Sequence, residues 1–459
     1  MMTLIKIVIL ISGVLSIFLG MSNPPAFAGS ISELRPADDT DTKKTAFDYI
    51  DNIVLQKLEE GFEINFKATA LGEINGIAAS NQNPENKFAQ LSDRGIIITL
   101  KPDMSLVYDD WLLSVRPRLE FEYNHYTIEG KSRHTSYKKA KIIEFQVRRQ
   151  LHENMFVSYG WENLQWGPSF LYSPSNPFFN DNGKKNLDSD IDGKGFLKLL
   201  LVHNYSWSTS LIYNTDKGAL NKSDFKKTYA IKFDYSGDDS YASFILSHKD
   251  NQKTRLGAFA GTTISDAVII YGEANIQQGS LALLPVAVQG PTAWEMKATR
   301  KNDHALYTTL LAGISYTLES ADTITFEYLY YGQGYDSTEA SDFYHLKNDA
   351  ATFYSSQTAL SGYGTRLLGE TTQNRLDFLR RNYLMVQYLN DDIIDDVDLT
   401  SRVTFCLDDG SSRIYSSLSL DLNNHTEIKL SGMMNTGGSD ASFGIFLDYQ
   451  TQLAVEYSF

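Results

Sequence analysis

The chain has 459 residues, a formal net charge of −15 and a mean hydropathy of −0.28. That hydropathy excludes a bundle of membrane-spanning helices, and the acidic balance argues against a nucleic-acid partner. The single cysteine, Cys406, excludes an intrachain disulfide and cysteine-based zinc or haem sites.

At the N-terminus, Lys6 precedes an apolar run over 7–20, and Ala26-Phe27-Ala28 supplies small residues around a cleavage point. This predicts a signal peptide over 1–28; the alternative is an uncleaved membrane anchor. Residues 29–60 are expected to be periplasmic. Their first part, 29–44, is polar and acidic, a composition that does not order on its own. Over 45–60, Phe47, Ile50, Val54, Leu55 and Leu58 share a stripe that predicts a short helix.

From residue 61 to 459 the pattern has a period of two, and strands alone are expected. Eighteen are predicted, at 62–74, 94–108, 111–125, 138–151, 155–162, 196–206, 208–214, 227–236, 240–248, 253–261, 266–276, 305–318, 322–332, 378–390, 397–407, 411–422, 425–434 and 446–459. Weak patterning in 208–214 and 253–261 leaves a count of sixteen open. Short turns, as at 109–110 and 237–239, alternate with long connections at 76–93, 127–137, 163–195, 216–226, 277–304 and 334–377. That asymmetry, with aromatics at 12% of residues, predicts an all-β, antiparallel, up-and-down transmembrane barrel. A secreted β-sandwich or solenoid would also be rich in aromatics.

The faces are legible residue by residue. Leu113, Val115, Leu119, Phe121 and Tyr123 are expected to face lipid, as are Ile143, Phe145 and Val147. The predicted lumen residues are Arg116, Arg118, Glu120, Glu122, Glu144, Arg148, Glu162, Lys232, Glu327, Arg402 and Glu456. A charge at the lipid midplane costs about 2–4 kcal/mol, so this set demands a polar interior, and a barrel this wide leaves an aqueous channel unless something fills it. Opposed rows of the two signs would set a field across the passage; the alternative is that they pair and stiffen the wall.

The most unusual local segment follows the fifth strand. Trp161, Trp166, Gly167, Pro168, Pro174, Asn176, Pro177 and Phe178 lie within 19 residues. Proline and aromatic density predicts an ordered, inward-folded element, with a rigid external cap as the alternative. This 163–195 loop resembles the pore-narrowing loop that follows the fifth strand in general porins. Trp-Gly-Pro followed by Ser-Pro-x-Asn-Pro resembles a motif of outer-membrane barrels of the porin and alginate-export-like group.

Asp188, Asp190 and Asp192 match the first half of a calcium loop, but position twelve is Leu199 instead of the closing glutamate. No EF-hand is expected; a looser calcium site with Asn180, Asp181 and Asn182 stays open. The eight histidines sit in no nucleophile motif, so no enzyme activity and no cofactor are expected.

The chain closes on an alternating stretch from Leu447 to Phe459. It resembles the C-terminal strand of Gram-negative outer-membrane β-barrels, whose terminal aromatic belongs to the signal read by the barrel-assembly machinery. The resemblance implies an outer-membrane location, lipid and lipopolysaccharide as surroundings, and diffusion of small hydrophilic solutes. Polysaccharide export and a non-conducting, surface-binding barrel are the rival readings. The oligomeric state is not legible.

Overall fold

The structure is a computed structural model describing residues 61–179, 190–215, 227–250, 254–288, 294–356, 358–394 and 396–459. The expected signal peptide, the 45–60 helix, the 216–226 connection and most of the acidic 180–192 stretch lie outside the described residues.

Eighteen strands form one antiparallel sheet closed on itself. They are β1 (Phe62–Ile77), β2 (Arg94–Tyr108), β3 (Trp111–Ile128), β4 (Lys131–His152), β5 (Met155–Glu162), β6 (Lys194–Val202), β7 (Trp207–Asn214), β8 (Thr228–Ser236), β9 (Ser240–Lys249), β10 (Arg255–Ser265) and β11 (Val268–Gln278). After a small hairpin of β12 (Leu284–Ala287) and β13 (Trp294–Lys297) come β14 (Leu306–Thr317), β15 (Thr323–Tyr331), β16 (Asn382–Ile394), β17 (Val397–Cys406), β18 (Ser412–Asn423), β19 (Thr426–Asn435) and β20 (Leu447–Ser458). Each barrel strand pairs with its neighbours in sequence, and β1 pairs with β20 from Lys67↔Ser458 to Ile77↔Leu447. Closure gives every barrel strand a partner on both sides, as hydrocarbon requires, although β5 pairs with β4 only from Phe145 to His152. Beyond the last pair, Phe459 N–H donates to Phe66 O at 3.0 Å and the two rings meet edge to face.

The period-two pattern places apolar side chains outward. Phe326 and Tyr328 of β15 are exposed, while Thr325, Glu327 and Leu329 between them are buried. The two weakly patterned segments are barrel strands β7 and β10.

Four expectations need correction. Residues 127–137 are not a loop: β3 and β4 continue as a hairpin around Glu129 and Gly130. Both faces of that extension are polar, so alternation could not reveal it, yet backbone ladder bonds do not depend on side-chain polarity. Ile143 does not face lipid; it is 3% exposed and is the extra residue of a bulge in β4, opposite Arg116 and Pro117. Pro117 has no N–H for the ladder, which makes a bulge the natural accommodation. The connection between β15 and β16 is not bare: it carries helices α1 (Ser337–Ser355) and α2 (Ser361–Thr372). Finally, the asymmetry of turns is incomplete, since residues 407–411 and 250–254 are short connections on the long-loop side.

Helix α1 starts with a capping box, Asp336 accepting from the Glu339 N–H and Glu339 from the Asp336 N–H. Its apolar face packs on the β12–β13 hairpin through Phe343, Leu346 and Met296, and on α2 through Ala350, Ala351, Leu367 and Leu368. Gln82 donates to Asn348 at 3.0 Å, and Lys347 reaches the Ser439 carbonyl. Burial brings the Lys347 ammonium down to about 8. Connections from four places around the rim are thus bonded to one another on the long-loop side.

Candidate functional site: the lumen and its inward loop

Residues 163–179 fold into the barrel and lie along the inner wall. Two wall carboxylates hold them. Glu273 on β11 is 3% exposed. It receives the Ser169 N–H at 3.2 Å, the Ser175 hydroxyl at 2.9 Å and the Ser173 hydroxyl at 3.1 Å, and the Ser169 hydroxyl lies 2.5 Å away. Glu327 on β15 is 1% exposed and accepts the N–H groups of Phe170 and Leu171 and the Tyr271 hydroxyl, each at 2.7 Å. Backbone donors aimed at a carboxylate satisfy it without a cation, so an irregular loop can be buried against the wall.

The motif residues have separate tasks. Gly167 has φ +95°, and a Cβ there would stand 2.2 Å from Glu273 Oε1, so only glycine lets the chain pass the anchor. At Gly257 a Cβ would stand 2.5 Å from the Ser175 carbonyl. Arg255 donates to the Pro174 carbonyl. Pro168, Pro174 and Pro177 stiffen the segment between its bonds. Asn176 accepts the N–H groups of Phe178 and Phe179 at 2.9 and 3.1 Å and donates to Leu164 O at 2.8 Å. Phe178 and Phe179 then pack on Phe196, Ile212, Ala230 and Ile245 of β6 to β9. Each buried aromatic contributes roughly 1.5–3 kcal/mol to the hold. Tyr172 donates to Asp377 at 2.7 Å and packs on Tyr331 and Phe378, tying the loop to the helix-bearing connection. Burial raises the Tyr172 phenol well above its usual value, so it stays a donor.

The remaining motif residue lies elsewhere. Trp161 belongs to β5, opposite Phe145, and is 44% exposed on the outer face, so it is not part of the inward loop. Trp166 is in the loop, with the Lys232 ammonium 5.3 Å from its ring centroid. Lys232 also pairs with Asp234.

The predicted lumen charges fall into two groups. Glu327 lies under the loop as an anchor. Arg402 contacts Gln387 at 2.6 and 2.9 Å. Apart from Lys232 on β8, the others line the sector from β20 to β6. Glu456 pairs with Lys67 at 2.7 Å and Lys101 at 3.3 Å. Arg116 pairs with Glu144 at 3.3 Å and lies 3.9 Å from Asp103. Arg118 is 3% exposed, held by Asp103 at 2.8 Å and Asp190 at 2.6 Å. Glu120 meets Lys141 at 3.1 Å, and Lys198 meets Glu162 at 2.5 Å. Glu122 accepts from Asn124, and Arg148 lies over the Phe156 ring. Pairing of β2 with β3 stops at Leu100↔Leu119 and resumes at Met104↔Val115. Pro102 and Pro117 lie in that gap, and Arg118 donates to the Pro117 carbonyl there.

Opposite charges therefore alternate along one wall instead of standing across the lumen in opposed rows. They are not buried uniformly. The Arg116 side chain is 45% exposed and Lys67 41%, so water reaches the wall here. Across from them, β6 to β16 are covered by the loop. The acidic return limb is used structurally: Asp190 binds Arg118, and Asp192 binds Lys141 at 3.1 Å. Gly193 N–H donates to the carbonyl of the bulged Ile143 at 2.7 Å. No cluster able to hold a metal is found among the described residues.

Sequence reasoning missed Glu273, Arg255 and Tyr172 as anchors. Glu273 left one signal, being the only charged residue in β11, on the inward parity.

No family model matches the sequence, and no curated protein matches it. Among solved structures, Pseudomonas aeruginosa OccK7 (OpdD) superposes with TM-score 0.50 at 9% identity, covering 87% of this chain and 98% of that one. The outer membrane protein OprD from Pseudomonas aeruginosa gives TM-score 0.49 at 9% identity, covering 87% and 95%. The OccK7 likeness carries the fold. The alginate-export resemblance finds no support in these comparisons.

Proposed function

We propose that this protein is a porin-like channel of the outer membrane through which small hydrophilic solutes diffuse passively, narrowed by the 163–193 loop. The observation that carries this is the lopsided lumen. A folded loop covers one part of an eighteen-stranded wall, and charges of both signs in contact with water line the rest. An apolar outer face and a wet inner face are what a membrane-spanning pore requires. Because the lumen cations and anions alternate in pairs, their fields cancel over a few ångströms, and weak preference between small cations and anions follows. No step of covalent chemistry is part of this reading.

Planar-bilayer recording tests it. Discrete conductance steps are expected from the purified protein, with a cation-to-anion permeability ratio near one. Removing residues 164–189 enlarges the steps. A correctly folded barrel that stays silent in both forms would overturn the channel and favour a surface-binding role for the long loops.

A further inference from the structure

Strand β4 outgrows its neighbour. It runs from Lys131 to His152, but β5 pairs with it only from Phe145 to His152, and Gly193 N–H takes the Ile143 carbonyl. Among the described residues, nothing pairs with the β4 backbone from Lys131 to Ile142 on that side. The register of β3 places the upper part of this stretch outside the membrane. Its outward parity runs from Trp111 to Tyr123. Twelve residue steps at ~3.4 Å, tilted by about 45°, span ~29 Å, the thickness of the hydrocarbon layer with an aromatic at each boundary. Tyr123 stands opposite Ser136, so Lys131 to Thr135 lie beyond that boundary, in water.

The backbone of this edge has a defined orientation. Glu129 and Gly130 both have positive φ, 51° and 70°, the mark of a two-residue type I′ turn closed by the hydrogen-bonded pair Ile128↔Lys131. Alternation then makes Thr127↔Ser132, His125↔His134 and Tyr123↔Ser136 non-hydrogen-bonded pairs. The bonds of β3 agree. The His125 carbonyl accepts the Asp93 N–H at 3.0 Å and the Thr127 carbonyl the Asn86 amide at 3.3 Å, both from the side away from β4. Ser132, His134 and Ser136 accordingly turn N–H and C=O to the open side. Glu129 N–H also donates to Glu85 O at 3.0 Å, so the hairpin is pinned on one flank and open on the other.

The side chains along the edge carry unmatched positive charge. Lys131, Ser132, Arg133 and His134 are all exposed. Lys131 and Arg133 share one face and form no ion pair among the described residues, whereas Lys139 and Lys141 lower down meet Glu120 at 3.8 and 3.1 Å. We propose that this edge of β4, from Lys131 to Ser136, accepts an extended acidic segment of a second protein outside the cell as an added strand. A peptide backbone is what matches N–H and C=O groups recurring at every second residue. On the added strand, the residues opposite Lys131 and Arg133 occupy non-hydrogen-bonded positions, where side chains approach most closely, so carboxylates at alternate positions suit them. A second copy of this chain does not fit, because pairing the same two edges sets these cations against one another. The inference rests on the membrane-spanning barrel and not on conduction.

The test uses the full chain in non-ionic detergent, with a capped synthetic peptide of alternating glutamate and threonine as probe. Fluorescence anisotropy is expected to show saturable binding, and hydrogen exchange over residues 131–137 should slow when the peptide is added. The double variant K131Q/R133Q should bind it about 10-fold more weakly. Ser132→Pro removes a donor from the open side and none from the ladder to β3, and should also weaken binding. Lys297→Gln, on the small hairpin, should bind as the wild type does. Heat-dependent electrophoretic migration verifies that each barrel is folded, and the same peptide N-methylated along its pairing edge repeats the test should Ser132→Pro fold poorly. Planar-bilayer steps of these variants should match the wild type, which separates a failure here from a failure of the channel reading. No binding by the wild type, binding without slowed exchange, or equal binding of the N-methylated peptide or of a lysine–threonine peptide would each overturn the proposal.

Discussion

Replacing Glu273 by alanine should release the inward loop while leaving the barrel closed. The carboxylate is 3% exposed and collects donors from three serines of the loop, four of them at 3.2 Å or less. Hydrogen bonds to a charged group contribute ~1.5–3 kcal/mol each, but they are not additive, and part of the loss is recovered by water entering the space. A net loss of about 3–5 kcal/mol in loop attachment follows, a small share of a closed eighteen-strand ladder. Glu327, Asn176 and the Phe178–Phe179 contacts remain, so the segment should fluctuate more than it departs. Single-channel recording should show larger mean steps and added open-channel noise. Glu273→Gln keeps one acceptor oxygen and should lie between. If E273A forms a heat-modifiable barrel whose conductance and noise match the wild type, the loop does not narrow the passage and the reasoning fails.

Gly167→Ala drives a methyl into the same carboxylate at an unfavourable φ and should mimic E273A in noise at a stability cost of about 2–3 kcal/mol, measured by proteolysis of the loop. Arg116→Glu places a third acidic group beside Asp103 and Glu144 and should shift the permeability ratio several-fold toward cations; an unchanged reversal potential would remove Arg116 from the conducting surface. Arg118→Met leaves Asp103 and Asp190 without their shared cation and should cost about 2–4 kcal/mol, read as protease sensitivity of the return limb around 190–193. Lys347 has its ammonium lowered from 10.5 to about 8, so between those values the unfolded lysine binds more protons than the folded one. The contact of α1 with Ser439 should therefore strengthen as pH rises through 8 to 10.5, seen as slower α1 opening in hydrogen exchange, and Lys347→Met should flatten that slope.

The strands were legible because their cause is local. Lipid solvates the outer face alone, so each strand carries its own period-two record, and Thr325, Phe326, Glu327 and Tyr328 could be assigned faces without any partner being known. Where both faces meet water, as along Lys131 to Tyr137, the record disappears although the strand continues. The helices left a capping signal at Asp336 and Glu339 that was lost inside a long connection. The inward direction of the loop was suggested by its prolines and aromatics. What holds it was not, because Ser169 and Glu273 stand 104 residues apart and Phe170 and Glu327 stand 157 apart. No periodicity reports such contacts. Likewise the lumen charges could be listed from alternation, but whether they stand opposed or alternate along one wall depends on how β20, β1, β2, β3 and β4 come side by side. Hydropathy along the chain sets which face of a strand meets lipid; the closure of the sheet and the path of one buried loop set which inward residues still meet water.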